Sequence, residues 1–187
     1  MLKKSLTIAT LLALFMQGCS NNHKKEDVES VNSMLSTNEY VLTTLDKSQK
    51  IVKKEGNGFV LDGAKGKVVM FDIFATWCPP CQHEAKHLSS LQKKFKNNLV
   101  IIGLTVEDMV SNSKLKEFAD KYHAKYTFVN SDQNRRLINA IATELKLGNN
   151  FPIPLMVMYK DGKLITHYVG ATQEEFIESD IKRALGK

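Results

Sequence analysis

The sequence predicts an α/β domain of three layers, a central mixed β-sheet flanked by helices, and three observations carry that expectation. Residues 68–74 (VVMFDIF) form an apolar run broken only by Asp72. Too short for a helix, such a run suits a strand buried on both faces, as in a parallel sheet. Ala85, Leu88, Leu91 and Phe95 follow at helical spacing, and a second apolar run occupies residues 99–105. Strand, helix and strand make a βαβ unit, whose crossover is right-handed. Near the C-terminus, Asp161-Gly162 parts two strand-like runs, the signature of a hairpin.

The elements follow in order. Short strands are expected at residues 40–45, 49–54 and 59–61, divided by polar and glycine-rich turns. The buried strand at 68–74 leads into a helix at 79–96, then the strand at 99–105. A helix at 113–122 turns Leu115, Phe118 and Ala119 inward, and a strand at 126–129 and a helix at 133–146 come next. The extra helix at 133–146 is a candidate docking surface. The hairpin pairs 155–159 with 164–169, and a last helix covers 173–185.

Of the 187 residues, 43% are hydrophobic and 25% charged, which excludes a disordered, collagen-like or polytopic membrane chain. The net charge is +6, and Lys3 and Lys4 of the N-terminal segment supply two of those charges. The excess is mild and spread along the chain, so nothing argues for nucleic acid as a partner. Three cysteines make no disulfide scaffold, and each needs its own account.

Lys3 and Lys4 precede the apolar run LTIATLLALF at residues 6–15, which reads as an export signal. It is too short to span a bilayer, since a helix needs ~20 apolar residues. Gly18-Cys19 resembles a bacterial lipoprotein cleavage box, with Met16 in place of the usual leucine and Gln17 in place of a small residue. On that resemblance residues 1–18 are a signal peptide and Cys19 is lipidated and becomes the N-terminus. A plain secretory signal and an uncleaved anchor are the alternatives. Every one of these readings places the domain outside the cytoplasm, and the lipoprotein reading places it on the periplasmic side of a membrane. Residues 19–38 are polar and charged, too poor in apolar side chains to order themselves, and read as a tether. The folded domain is expected over residues 39–187.

The chemistry is expected at Trp77-Cys78-Pro79-Pro80-Cys81, where the buried strand ends and the helix begins. Unpaired N–H groups and the dipole at a helix N-terminus stabilise negative charge, so a cysteine there ionises more readily. Thiolate is the nucleophile of disulfide exchange, and the second cysteine lies one helical turn on, able to close a disulfide. Proline suits a first helical turn. A CxxC pair has other readings. Haem attachment needs histidine after the second cysteine, where Gln82 stands. Zinc needs two more ligands, yet on a helix His83 and His87 lie about 200° and 240° around from Cys81 and point away. A structural disulfide across so short a span removes little entropy from the unfolded chain. No metal and no cofactor is called for.

Phe71-Asp72-Ile73-Phe74-Ala75-Thr76-Trp77-Cys78-Pro79-Pro80-Cys81 resembles the active-site strand and turn of thioredoxins, nearest to the membrane-anchored, extracytoplasmic branch called TlpA-like. The resemblance runs from about residue 40 to the C-terminus and implies a thioredoxin-like fold. It places Asp72, six residues before Cys78, where thioredoxins bury an aspartate beneath the disulfide. Burial would raise its pKa and let it shuttle the proton of the second cysteine. Glu84 matches a glutamate that the anchored branch carries, and reads equally as a surface helix residue. Lys86 stands where that branch usually has proline. Pro154, eight residues before Gly162, matches the family's cis-proline, which would present the backbone of Ile153 to an extended substrate. Leu155 and Pro152 depart from the family pattern, and on the plain reading the prolines only start an edge strand.

The resemblance implies a thiol-disulfide oxidoreductase in which Cys78 attacks, Cys81 resolves with help from Asp72 or Glu84, and Trp77 shields the site. Its substrates would be protein disulfides or thiols, with apocytochrome c among them, and a membrane protein would donate electrons. The competing reading is an oxidase or isomerase for exported proteins using the same residues. A third, a copper-binding metallochaperone, is disfavoured because such relatives place three residues between the cysteines and use a distant histidine.

Overall fold

In the computed structural model, residues 38–148 and 150–187 are described. The signal, the tether and Cys19 lie outside them, apart from Asn38. The architecture combines two sheets and four flanking helices among the described residues. An antiparallel sheet of β1 (Glu39–Thr43), β2 (Gln49–Glu55) and β3 (Gly58–Leu61) precedes the main one. The main sheet has the order β6-β5-β4-β7-β8, with β4 (Val68–Phe74) central and β5 (Leu99–Thr105) and β6 (Thr127–Val129) parallel to it. On its other side run β7 (Leu155–Lys160) and β8 (Lys163–Val169), antiparallel. The helices are α1 (Pro79–Lys94), α2 (Asn112–Lys121), α3 (Asn134–Glu144) and α4 (Glu174–Ala184). The sheet is mixed and helices cover both of its faces.

Every residue of β4 is buried, as its continuous apolar run requires. Its odd positions Val69, Phe71 and Ile73 pack with Leu42, Phe59 and Leu137, from the small sheet and α3. Its even positions Val68 and Met70 pack with Leu88 and Leu91 of α1 and with Ile177 and Ile181 of α4. Each such side chain contributes ~1.5–3 kcal/mol when fully buried. Strand alternation therefore points Asp72 towards the face on which α1 and α4 lie.

The element bounds differ from expectation by a few residues, with local causes. β1 ends at Thr43 because Thr44 turns the chain, its hydroxyl bonding Asp46 and the Ser48 carbonyl while Lys47 takes φ 68°. α1 ends at Lys94, where Phe95 leaves helical geometry as the cap. The hairpin turn has Asp161 at φ 48° and Gly162 at φ 78°, the two positive values of a type I′ turn. β3 crosses this turn so closely that a Cβ on Gly58 would stand 1.8 Å from the Gly162 oxygen.

Candidate active site

β4 delivers the chain to the end of the sheet, where residues 75–78 turn into α1. Cys78 is the N-cap, with extended backbone, and its Sγ accepts the Cys81 N–H at 3.3 Å. The side chain thus satisfies one of the donors that a helix start leaves unpaired, and the helix dipole points at the sulfur. Pro79 and Pro80 occupy the first turn, where a missing N–H costs nothing. Cys78 and Cys81 form a disulfide and are each only 3% exposed.

The turn is clamped from outside. Glu107, following β5, accepts the Thr76 N–H at 2.6 Å and the Thr76 hydroxyl at 3.0 Å, and pairs with Lys114 at 3.2 Å. Burial pushes its carboxyl up, but these donors outweigh it and hold Glu107 below the usual range. The Gln82 amide donates to the Thr76 carbonyl at 2.8 Å. Both polar ends of the Thr76 backbone are therefore held.

Asp72 is 3% exposed, so the structure places it in the interior. Its Oδ2 accepts the Tyr126 hydroxyl at 2.8 Å, while Oδ1 has no partner among the described residues. Burial pushes Asp72 up to about 7, against the Tyr126 hydrogen bond and with the added repulsion of Glu84. Glu84 is 1% exposed, which removes the surface reading of that residue. Its Oε2 accepts the Thr172 N–H at 3.0 Å and lies 3.9 Å from Nδ1 of His87, and Oε1 is unpartnered. Burial raises Glu84 as well, opposed by Thr172 and His87. Two buried carboxylates thus repel each other beside the first turns of α1.

The Ile153-Pro154 bond is cis, and the Ile153 carbonyl lies 3.8 Å from Cys78 Sγ. Pro154 is tied through its carbonyl to the Gly170 N–H at 2.8 Å.

The Redoxin family matches residues 43–185. This chain belongs to that family. It is 28% identical over 131 residues to a thiol-disulfide oxidoreductase, ResA, of Bacillus thuringiensis, covering 69% of this chain and 70% of the relative. It is 34% identical over 92 residues to thioredoxin-1 of Drosophila melanogaster, covering 48% of this chain and 80% of that one. Among solved structures, a thiol:disulfide interchange protein of Chlorobium tepidum superposes with a TM-score of 0.64 at 22% identity, covering 80% and 94% of the two chains. A secreted disulfide oxidoreductase of Mycobacterium tuberculosis superposes at 0.56 with 18% identity, covering 79% and 98%. The fold is thioredoxin-like and the protein is a thiol-disulfide oxidoreductase.

Within this Redoxin domain, Trp77 stands 63% exposed on the outer side of the turn. It borders a cleft of about 470 Å³ whose wall includes Val106, Ile138 of α3, Phe151 and Ile153. His83 is exposed, whereas His87 is half-buried against Glu84. No group of three or more metal-ligating side chains occurs among the described residues. No helix among them is long and apolar enough to cross a membrane. Two site residues escape sequence reasoning. Tyr126 reads as an ordinary strand residue, and Glu107 as one more loop acid. Only the run of Thr105, Glu107 and Asp108 at a parallel strand's C-terminal end, where such sheets place their sites, could have drawn attention to Glu107.

Proposed function

We propose that this protein is a lipid-anchored, extracytoplasmic reductase of protein disulfides, with the cysteines of apocytochrome c among its substrates. The observation that carries the reading is the Cys78 sulfur at the α1 N-cap, accepting the Cys81 N–H, with buried Asp72 and Glu84 on the same face of the sheet. In the reduced protein the Cys78 thiolate attacks a substrate disulfide, forming a mixed disulfide and releasing one substrate thiolate. Cys81 then loses its proton to Asp72, assisted by Glu84, and its thiolate attacks Cys78 Sγ. The Cys78–Cys81 bond forms, the bond to substrate breaks, and the substrate leaves reduced by two electrons. The cis bond to Pro154 presents the backbone of Ile153 to pair with the substrate chain, and Trp77 covers one side of the exchange.

The export signal and Gly18-Cys19 support the outward location, with Cys19 acylated, residues 19–38 as tether and residues 39–187 as the working domain. That the Mycobacterium tuberculosis neighbour is secreted is in keeping with this. A membrane protein would return electrons to the disulfide. Equilibration of the full chain in thiol redox buffers tests the direction. A potential near ~−270 mV supports the reductase, and one near ~−120 mV makes the protein a disulfide-forming oxidant instead. Cys78→Ala abolishes exchange and Cys81→Ala accumulates the mixed disulfide. Cys19→Ser moves the protein from the membrane to the soluble extracytoplasmic fraction; retention in the membrane would refute the lipid anchor.

A further inference from the structure

We propose that Tyr126 is a positioning residue for disulfide exchange: its hydroxyl holds Oδ2 of Asp72 and leaves Oδ1 as the oxygen that receives the Cys81 proton. This rests on the reading of Asp72 as the base that serves Cys81, and gives that base a partner.

The geometry is built from three elements. Gly103 of β5 is paired in register with Asp72 on one side and with Phe128 of β6 on the other. A Cβ there would stand 2.8 Å from Phe128 Cδ1 and 3.2 Å from Tyr126 Cε2, so the missing side chain is what lets the ring lie over β5. Tyr126 stacks at 4.6 Å on Phe128. The segment entering β6 is tied to the active-site helix, because the Lys125 N–H donates to Ser89 Oγ at 2.7 Å. Ser89 in turn donates to the Ala85 carbonyl. The ring is thus fixed from β5, β6 and α1, and its hydroxyl ends 2.8 Å from Asp72.

The groups around Asp72 give the hydroxyl its importance. From α1 comes Glu84, with His87 beside it, and Glu174 of α4 bears on Glu84. The register partners Gly103 and Met156 carry no charge. Tyr126 is the one hydrogen-bond donor to Asp72 among the described residues, in surroundings that otherwise oppose its ionised form. Donation to one carboxylate oxygen stabilises that form and restricts its rotation. With the hydroxyl gone, Asp72 ionises only at higher pH and accepts the Cys81 proton correspondingly later.

The test separates the two exchange steps. Fully reduced protein is mixed with dithiobis-nitrobenzoate in a stopped-flow instrument. Cys78 attack releases one aromatic thiolate, and Cys81 attack on the resulting mixed disulfide releases the second. In Tyr126→Phe the second phase is expected to move to higher pH and to be at least about threefold slower at the parent's midpoint pH, with the first phase unchanged. The same substitution added to Asp72→Asn should produce no additional shift. An unshifted second phase, a shift confined to the first phase, or a shift that persists beside Asp72→Asn overturns the proposal. Should Tyr126→Phe fail to fold, Gly103→Ala, whose Cβ presses on the Phe128 ring and through it on Tyr126, must show the same alkaline shift. If the parent itself releases no second thiolate, the exchange mechanism fails rather than the role of Tyr126.

Discussion

Asp72→Asn should stabilise the oxidised protein at neutral and alkaline pH, although it removes a buried, hydrogen-bonded side chain. In the folded protein Asp72 is raised from 3.8 to about 7, chiefly by burial. Between those values the folded state keeps a proton that the unfolded chain has lost. The unfolded state then binds fewer protons, so stability falls as pH rises, by up to ~1.4 kcal/mol per pH unit. Integrated over the window, the parent loses about 4 kcal/mol between pH 4 and pH 8 relative to a chain with no acid there. Asparagine keeps an oxygen for the Tyr126 hydroxyl but ionises at no pH. The variant should therefore match the parent near pH 4 and exceed it by about 2–4 kcal/mol at pH 8. Urea unfolding of both oxidised proteins across this range measures the difference, with the cysteines locked and silent. A gap that stays within about 1 kcal/mol at every pH would falsify the argument that Asp72 is buried and held near neutral.

Other consequences are independent of that one. Glu107→Ala frees the Thr76 N–H and hydroxyl from a charged acceptor, and should cost about 2–3 kcal/mol in denaturant unfolding. Less than about 0.5 kcal/mol would mean the clamp on the cysteine turn contributes little. Because Glu107 lies below its ordinary value when folded, its contribution is present above the unfolded value and lost as pH falls through the folded one. Tyr159→Phe should be neutral or stabilising by about 1 kcal/mol, since the Tyr159 hydroxyl is buried with no partner among the described residues. A clear fall in the urea midpoint would show that the hydroxyl is satisfied in solution. Gly58→Ala must push β3 off the hairpin turn, at a cost of about 2 kcal/mol or more. A thermal midpoint equal to the parent's would contradict that close approach.

The parts of this protein legible in one dimension are those whose physics is local. The run at β4, the helical spacing of Ala85, Leu88 and Leu91, and the Asp161-Gly162 turn each state their conformation within a few residues. The cysteine pair belongs with them, because a helix start and a three-residue step suffice to bring Cys78 and Cys81 together. Asp72 was legible for a related reason, as a lone charge in a strand otherwise wholly apolar. The three N-terminal strands were legible one by one, but not that they form a sheet of their own, since pairing depends on what the main sheet leaves uncovered.

What closes over long stretches of chain was decided by the fold. Glu84 was ambiguous because helical periodicity alone does not say that the β8–α4 connection will pass over it and offer the Thr172 N–H, 88 residues away. Tyr126 meets Asp72 across 54 residues and Glu107 meets Thr76 across 31, contacts that exist only because β5 lies beside β4, and β6 beside β5, in one register. The elements, the cysteine pair and the acid in the strand thus follow from short-range sterics and hydrophobic period. Which donors reach that acid, and which carboxylate clamps the turn, waited on tertiary structure, because a hydrogen bond acts over about 3 Å and only strand order and register bring such distant residues that close.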